Sequence, residues 1–216
     1  MKQFGETVAG YSIPVMNERE IRGAAGILFL GTIISFLNII FNGDFILFKY
    51  FIFYFMMDMG IRIFIHPKYS PTLTLARFMV RKQTPLYVGA AQKRFAWIIG
   101  FTLSSIMFLH IVIINAFGPV SGLTCLVCMI FLFAELAFNI CIGCKIYGWF
   151  NKGKVLHCPG EVCEIKDRQP IQKTHVAQWA VLVVMILSLV ATGFLFHNRI
   201  KEKPQPLEKR LHSLFK

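Results

Sequence analysis

Five apolar blocks, each long enough to cross a lipid bilayer, constrain this chain more than any other feature. They occupy residues 21–41, 45–65, 95–117, 123–149 and 176–197. A helix needs about 20 mostly apolar residues to cross a hydrocarbon core of about 30 Å. In lipid every backbone N–H and C=O must be satisfied within the segment or its neighbours, so unalternating runs of this length fold as helices. The expected fold is therefore all-α: a polytopic transmembrane helix bundle with four core spans, a fifth C-terminal span and a short interfacial helix. The chain divides accordingly into an N-terminal segment (1–20), a four-span core (21–149), a Cys-containing loop (150–175), the fifth span (176–197) and a basic tail (198–216). Composition agrees: 56% of residues are hydrophobic and 16% charged, against roughly 45–50% and about 25% in soluble domains.

A formal net charge of +12 raises the question of nucleic acid. The Lys and Arg lie between the apolar blocks and form no recognition motif, so lipid is the expected partner and nucleic acid is not. Residues 66–94 carry Lys68, Arg77, Arg81, Lys82, Lys93 and Arg94 without one acid, whereas 118–122 carry no charge. The positive-inside rule places that basic loop, and with it the N-terminus, on the cytoplasmic side of the membrane. The first 22 residues hold Glu6, Glu18, Arg19, Glu20 and Arg22 where a secretory signal would be apolar, so span one is expected to act as its own insertion signal. Asn17 and Glu20 have capping-box spacing before that span, and Asn42-Gly43-Asp44 makes a tight hairpin after it. Ser70-Pro71 reads as the start of the interfacial helix, with Leu73, Ala76, Met79 and Val80 on one face and Arg77 and Arg81 on another. A fifth crossing leaves the basic tail on the outside, which fits the charge rule poorly.

Six cysteines fall in three close pairs: Cys125/Cys128, Cys141/Cys144 and Cys158/Cys163. The first two are C-x-x-C, a spacing that serves as a dithiol, a disulfide or half a metal site. The foremost site candidates are Cys141 and Cys144, beside Lys145 at the membrane face, where a thiol can exchange. Cys125 and Cys128, followed only by apolar residues, read first as small packing residues and second as a thiol pair. Cys128 and Cys141 are 13 positions apart, roughly 20 Å along a helix. Cys141, Cys144, Cys158 and Cys163 have the loose C-x2-C-x13-C-x4-C spacing of a four-thiolate metal site, a secondary reading. Ionisable residues inside spans are functional candidates by default. Glu135 lies on the Cys128 stripe of span four; Asp58 and Arg62 are four apart on span two; His110 is in span three. Their alternative is a structural network, with Glu135 protonated or bonded to Arg62 or His110.

Five motifs resemble one family in order and spacing. They are Pro14-Val15-Met16-Asn17-Glu18, Tyr69-Ser70-Pro71 with Leu75-Ala76, Lys93-Arg94-Phe95-Ala96 with Gly100, Phe138 to Lys145 around Cys141-Ile142-Gly143-Cys144, and Glu161-Val162-Cys163-Glu164. The chain is similar to the bacterial integral-membrane family catalogued as domain of unknown function 4395. Gln92 stands where that family has proline, Cys125 and Cys128 match none of its motifs, and the fifth span and tail lie beyond the resemblance. The family's name implies no activity and no cofactor. Three functions remain open. The first is thiol/disulfide or sulfur handling by Cys141/Cys144 with a thioredoxin-like or sulfur-transfer partner, Glu135 accepting protons. The others are a small transporter or permease subunit using Glu135, Asp58 and Arg62, and a non-catalytic membrane scaffold.

Overall fold

Two short strands set the arrangement of the bundle: β1 (Val15–Asn17) pairs antiparallel with β2 (Tyr87–Gly89), Val15 opposite Gly89 and Asn17 opposite Tyr87. Each strand runs straight into a long helix, α1 (Glu18–Asn42) and α4 (Ala90–Phe108), so the two helices start side by side. The computed structural model describes residues 4–8, 13–150, 174–196, 201–202 and 205–206. Asn17 caps α1, its side chain accepting from the Arg19 amide at 3.1 Å and donating to Glu20 Oε1 at 3.0 Å. The capping pair expected from sequence is thus present, though Glu20 closes on the side chain of Asn17. Gly43, at φ 61°, ends α1, and the Asp44 carboxylate accepts from the Ile46 amide to open α2 (Ile46–Gly60). That is the tight hairpin expected of Asn42-Gly43-Asp44.

α2 continues through a π-helical turn, Ile61–Ile65, and a 3₁₀ turn, Pro67–Tyr69, into α3 (Pro71–Val80). Ser70 caps α3, accepting from the Leu73 amide at 3.2 Å, with Pro71 at the first helical position. The short helix expected after Ser70-Pro71 exists, but its faces differ from expectation. Leu73 and Ala76 are buried against α1, and so is Arg77, drawn in by Glu20 at 3.0 Å. Met79 and Phe78 point outward instead. After α4 and its π-helical extension Leu109–Ile113, strand β3 (Ala116–Phe117) leads to α5 (Pro119–Phe138), α6 (Ile142–Phe150) and, further on, α7 (Val176–Leu195). β4 (Gln205–Pro206) lies parallel to β3.

Among the described residues, four helices are long and apolar enough to cross a membrane: α1, Ala90–Ile113, α5 and α7. α2 packs against α4, and with its π-helical extension it carries three buried charged side chains, Lys49, Asp58 and Arg62. Large apolar side chains face outward along every long helix, including Leu30, Ile40, Leu123, Ile130, Val184 and Leu187. An exposed apolar surface of this extent needs lipid around it. The protein is a multi-pass helical membrane protein.

The expected fourth span, 123–149, is not one helix. α5 stops at Phe138, Asn139 adopts a left-handed φ of 55°, and α6 starts afresh at Ile142. Asn tolerates that conformation better than most residues, and the Ile140 amide returns to Ala134 O at 3.0 Å to finish the helix end. Glu135 therefore lies about one turn from the end of α5, where its position in the block had suggested mid-span.

Candidate functional site

The break after α5 fixes the chemistry of the Cys141-Ile142-Gly143-Cys144 motif. Cys141 stands at the N-cap of α6: its carbonyl accepts from the Lys145 amide at 3.1 Å, and its Sγ accepts from the Cys144 amide at 3.2 Å. A sulfur thus occupies the place where Ser or Asp usually caps a helix. Cys141 and Cys144 are joined as a disulfide, their Cα atoms 5.1 Å apart. Gly143 lets α6 lie directly on α4, since a Cβ there would come within 2.7 Å of Ala96 Cα. Phe95 and Tyr147 extend the same contact, ring centroids 5.4 Å apart.

Cys141 opens on a cavity of about 60 Å³ whose walls include Arg62, Trp97, Cys128, Glu135 and Gly143. The void can hold a few waters, at roughly 10–15 Å³ each. Cys128, expected about 20 Å away along a helix, lines this same cavity from the α5 side. It also lines an adjoining apolar cavity of about 40 Å³ that holds Cys125. Cys125 and Cys128 both carry free thiols.

Glu135 is paired, but neither with Arg62 nor with His110. Lys93 Nζ donates to Glu135 Oε1 at 2.5 Å and to Glu18 Oε1 at 3.0 Å. The antiparallel β1–β2 pair brings Glu18 and Lys93 together, because each lies in the first turn of the helix that its strand feeds. Arg62 is bound locally: Nη2 lies 2.6 Å from Asp58 Oδ2, Nε donates to Ser70 Oγ at 3.1 Å, and the guanidinium sits 5.2 Å from the Trp97 ring centre. Asp58 Oδ1 accepts from Ser70 Oγ and the Thr72 amide, so this pair fastens α3 to α2. His110 is half-buried in the π-helical turn at the far end of α4, remote from the disulfide.

Sequence reasoning thus found Cys141, Cys144, Glu135, Asp58 and Arg62, which gather at one end of the bundle, and Cys128, which faces them across the cavity. It named Lys93 as loop charge and Lys93 and Glu18 as parts of two family motifs, but gave neither a role at the site; the signal was their place in those motifs, which precede α1 and open α4. Cys158 and Cys163 lie outside the described residues, and with them the four-thiolate arrangement. Among the described residues no group of three or more His, Cys, Asp or Glu side chains is placed to hold a metal ion.

The family model described as Domain of unknown function (DUF4395) matches residues 16–152, taking in the four-block core, the disulfide and the Glu18–Lys93–Glu135 cluster. No curated protein and no solved structure matches the chain. With the match running over most of its length, the chain belongs to the DUF4395 family.

Proposed function

We propose that the protein exchanges thiols and disulfides, or passes sulfur, through Cys141 and Cys144 at the cytoplasmic face of a bacterial inner membrane. The observation that carries this reading is the capping position of Cys141. Negative charge on its sulfur is favoured there by the Cys144 amide and by the N-terminal end of α6. A merely packing cysteine has no use for that placement. The exposed Arg81, Lys82 and Arg94 near this end of the bundle support the cytoplasmic side.

The two sulfurs have different neighbours. Cys141 faces the internal cavity, whereas Cys144 is not among its lining residues and precedes the exposed Lys145. A thioredoxin-like or sulfur-transfer partner therefore meets Cys144, and Cys141 is the leaving and resolving thiol, with Glu135 across the cavity as the group that exchanges its proton. The partner's thiolate attacks Cys144 Sγ, the S–S bond breaks, and its electron pair departs on Cys141 Sγ. A second partner thiol then releases Cys144, so that the partner is oxidised by two electrons and the pair reduced by two.

The test is trapping in the native membrane. Cys141→Ser is expected to accumulate a mixed disulfide on Cys144, seen by non-reducing electrophoresis and peptide mass spectrometry, while Cys144→Ser accumulates none. Absence of any trapped species from Cys141→Ser, with Cys144 inert to permeant alkylating reagents after reduction, would sink the reading.

A further inference from the structure

The cavity beside the disulfide lies among α1, α2, α4 and α5, with apolar walls at Leu28, Phe55, Leu103 and Leu132. Three sulfur-bearing side chains also line it: Met59, Cys128 and Cys141. Sulfur is polarizable, so such a wall suits a soft, weakly hydrated guest. The charged residues on the wall are Arg62 and Glu135, and each already has its opposite in contact, Asp58 at 2.6 Å and Lys93 at 2.5 Å. The cavity therefore offers no unpaired charge to a multiply charged oxyanion. At about 60 Å³ it takes a guest of a few non-hydrogen atoms. One point on its wall is an electrophile, because the Cys141 sulfur is half of a disulfide whose other half, Cys144, is not among the lining residues. A nucleophile inside the cavity thus meets Cys141, whereas a protein partner meets Cys144.

We propose that this cavity binds hydrogen sulfide, which attacks Cys141 and leaves a persulfide there. The proposal rests on the exchange reading and deepens it, by naming the substrate of its sulfur-passing branch. Hydrogen sulfide is small, uncharged when protonated, soluble in lipid and, once ionised, a strong nucleophile toward disulfides. Its sulfur bonds to Cys141 Sγ, the Cys141–Cys144 bond breaks, and the electron pair departs on Cys144 Sγ. One of the two hydrogens stays on the outer sulfur, and the other is balanced by the proton that Cys144 takes from water. With both cysteines counted as thiols, sulfide is oxidised by two electrons and the disulfide is reduced by two. Cys144, freed on the partner's side, is placed to take up the outer sulfur and hand it to the partner's thiolate. Both cysteines are then thiols, and exchange with a partner's disulfide closes them again.

The experiment treats the full-length protein in nanodiscs, disulfide closed, with sodium sulfide, an alkylating reagent being present to capture Cys144 as it is freed. Peptide mass spectrometry should find an extra sulfur on Cys141 and the alkyl group alone on Cys144. Gly100→Ala narrows the cavity without disturbing the backbone, since the nearest atom its methyl group meets is Met59 Sδ at 3.6 Å. That variant should form the persulfide several-fold more slowly. Its reduction by dithiothreitol, which is too large for the cavity and must approach Cys144, should keep the rate of the unsubstituted protein. Extra sulfur on Cys144 in place of Cys141, no persulfide at all, or a Gly100→Ala variant that slows both reagents equally or neither, each overturns the proposal. If Cys141→Ser still traps a partner in that case, only the sulfide site has failed. If nothing is trapped while Cys141 gains sulfur at a rate that Gly100→Ala lowers, the partner exchange has failed and the sulfide site stands.

Discussion

At Gly143 a single absent methyl group decides how closely α6 lies on α4. A Cβ there would meet Ala96 at 2.7 Å from both Cα and Cβ, and the first of these is backbone that cannot rotate away. Gly143→Ala is expected to cost about 1–3 kcal/mol, the usual range for overpacking, and to separate the disulfide from the cavity wall. Gly122 provides the matched control, since a Cβ at that position meets nothing within 4 Å. Gly122→Ala should leave stability unchanged or raise it by up to about 1 kcal/mol through helix propensity. Thermal unfolding of the two variants side by side in nanodiscs measures the difference; equal melting temperatures would remove the argument for Gly143. The same scale shows why Lys93 escaped the sequence. A lysine in a basic loop reads as solvated, and only the pairing of β1 with β2 places it over Glu18. Arg77 escaped likewise, because the Glu20 that buries it is 57 positions away.

Elements are joined in this fold by polar fasteners as much as by apolar packing. Asp58 and Arg62 on the second helix hold the cap of α3 through Ser70 and Thr72, all of them buried. Removing one member of a buried ion pair typically costs about 3–5 kcal/mol, more than removing both, because the survivor keeps an unpaired charge. Asp58→Ala should therefore loosen residues 71–80 in hydrogen exchange more than Asp58→Ala combined with Arg62→Met; the reverse order would show that α3 is held by its packing on α1. A second fastener is sensitive to pH. Glu6 exchanges two backbone hydrogen bonds with Val15, at 3.0 and 2.9 Å, and burial pushes its carboxyl above the ordinary 4.5 despite the opposing pull of Arg77 and Lys68. A carboxyl raised in the fold contributes stability below its ordinary pKa and loses it as pH rises through the raised value. Exchange protection of the Val15 amide, corrected for intrinsic rate, should thus fall as pH climbs from 4.5. Glu6→Gln should flatten that dependence, and a flat profile in the unsubstituted protein would count against it. Element identity was legible because apolar length and caps such as Ser70-Pro71 are local signals. The break between α5 and α6 was not, since the apolar run 123–149 continues across Asn139, and a single Asn carries little weight against that background.

Across the whole molecule, the course of the last span determines which side the basic tail occupies. α2 and its π-helical extension cover residues 46–65, about 30 Å at 1.5 Å per residue. α7 touches both ends of that length. Near its start, the Gln178 side chain donates to the carbonyl of Lys68, just beyond the extension. Near its finish, Gly193 lies against Tyr50 at the beginning of α2. Past it, the Glu202 carbonyl accepts from Lys49 at 2.7 Å, and Lys49 also donates to Asn115 at 2.8 Å. α7 therefore traverses the full bundle, and the charge rule that made its crossing awkward has a physical exception here. Two of the six basic residues between 66 and 94, Arg77 and Lys93, are buried in ion pairs with Glu20 and Glu18, so they are not solvated charges facing anionic lipid. Orientation then depends on fewer free charges than the sequence suggests. With the six native cysteines replaced by Ser, Thr174→Cys and Glu202→Cys should react with an impermeant maleimide from opposite faces of sealed vesicles. Labelling of both from one face would mean that α7 does not cross, and that the contacts of Gly193 and Glu202 with the start of α2 are not made in the membrane.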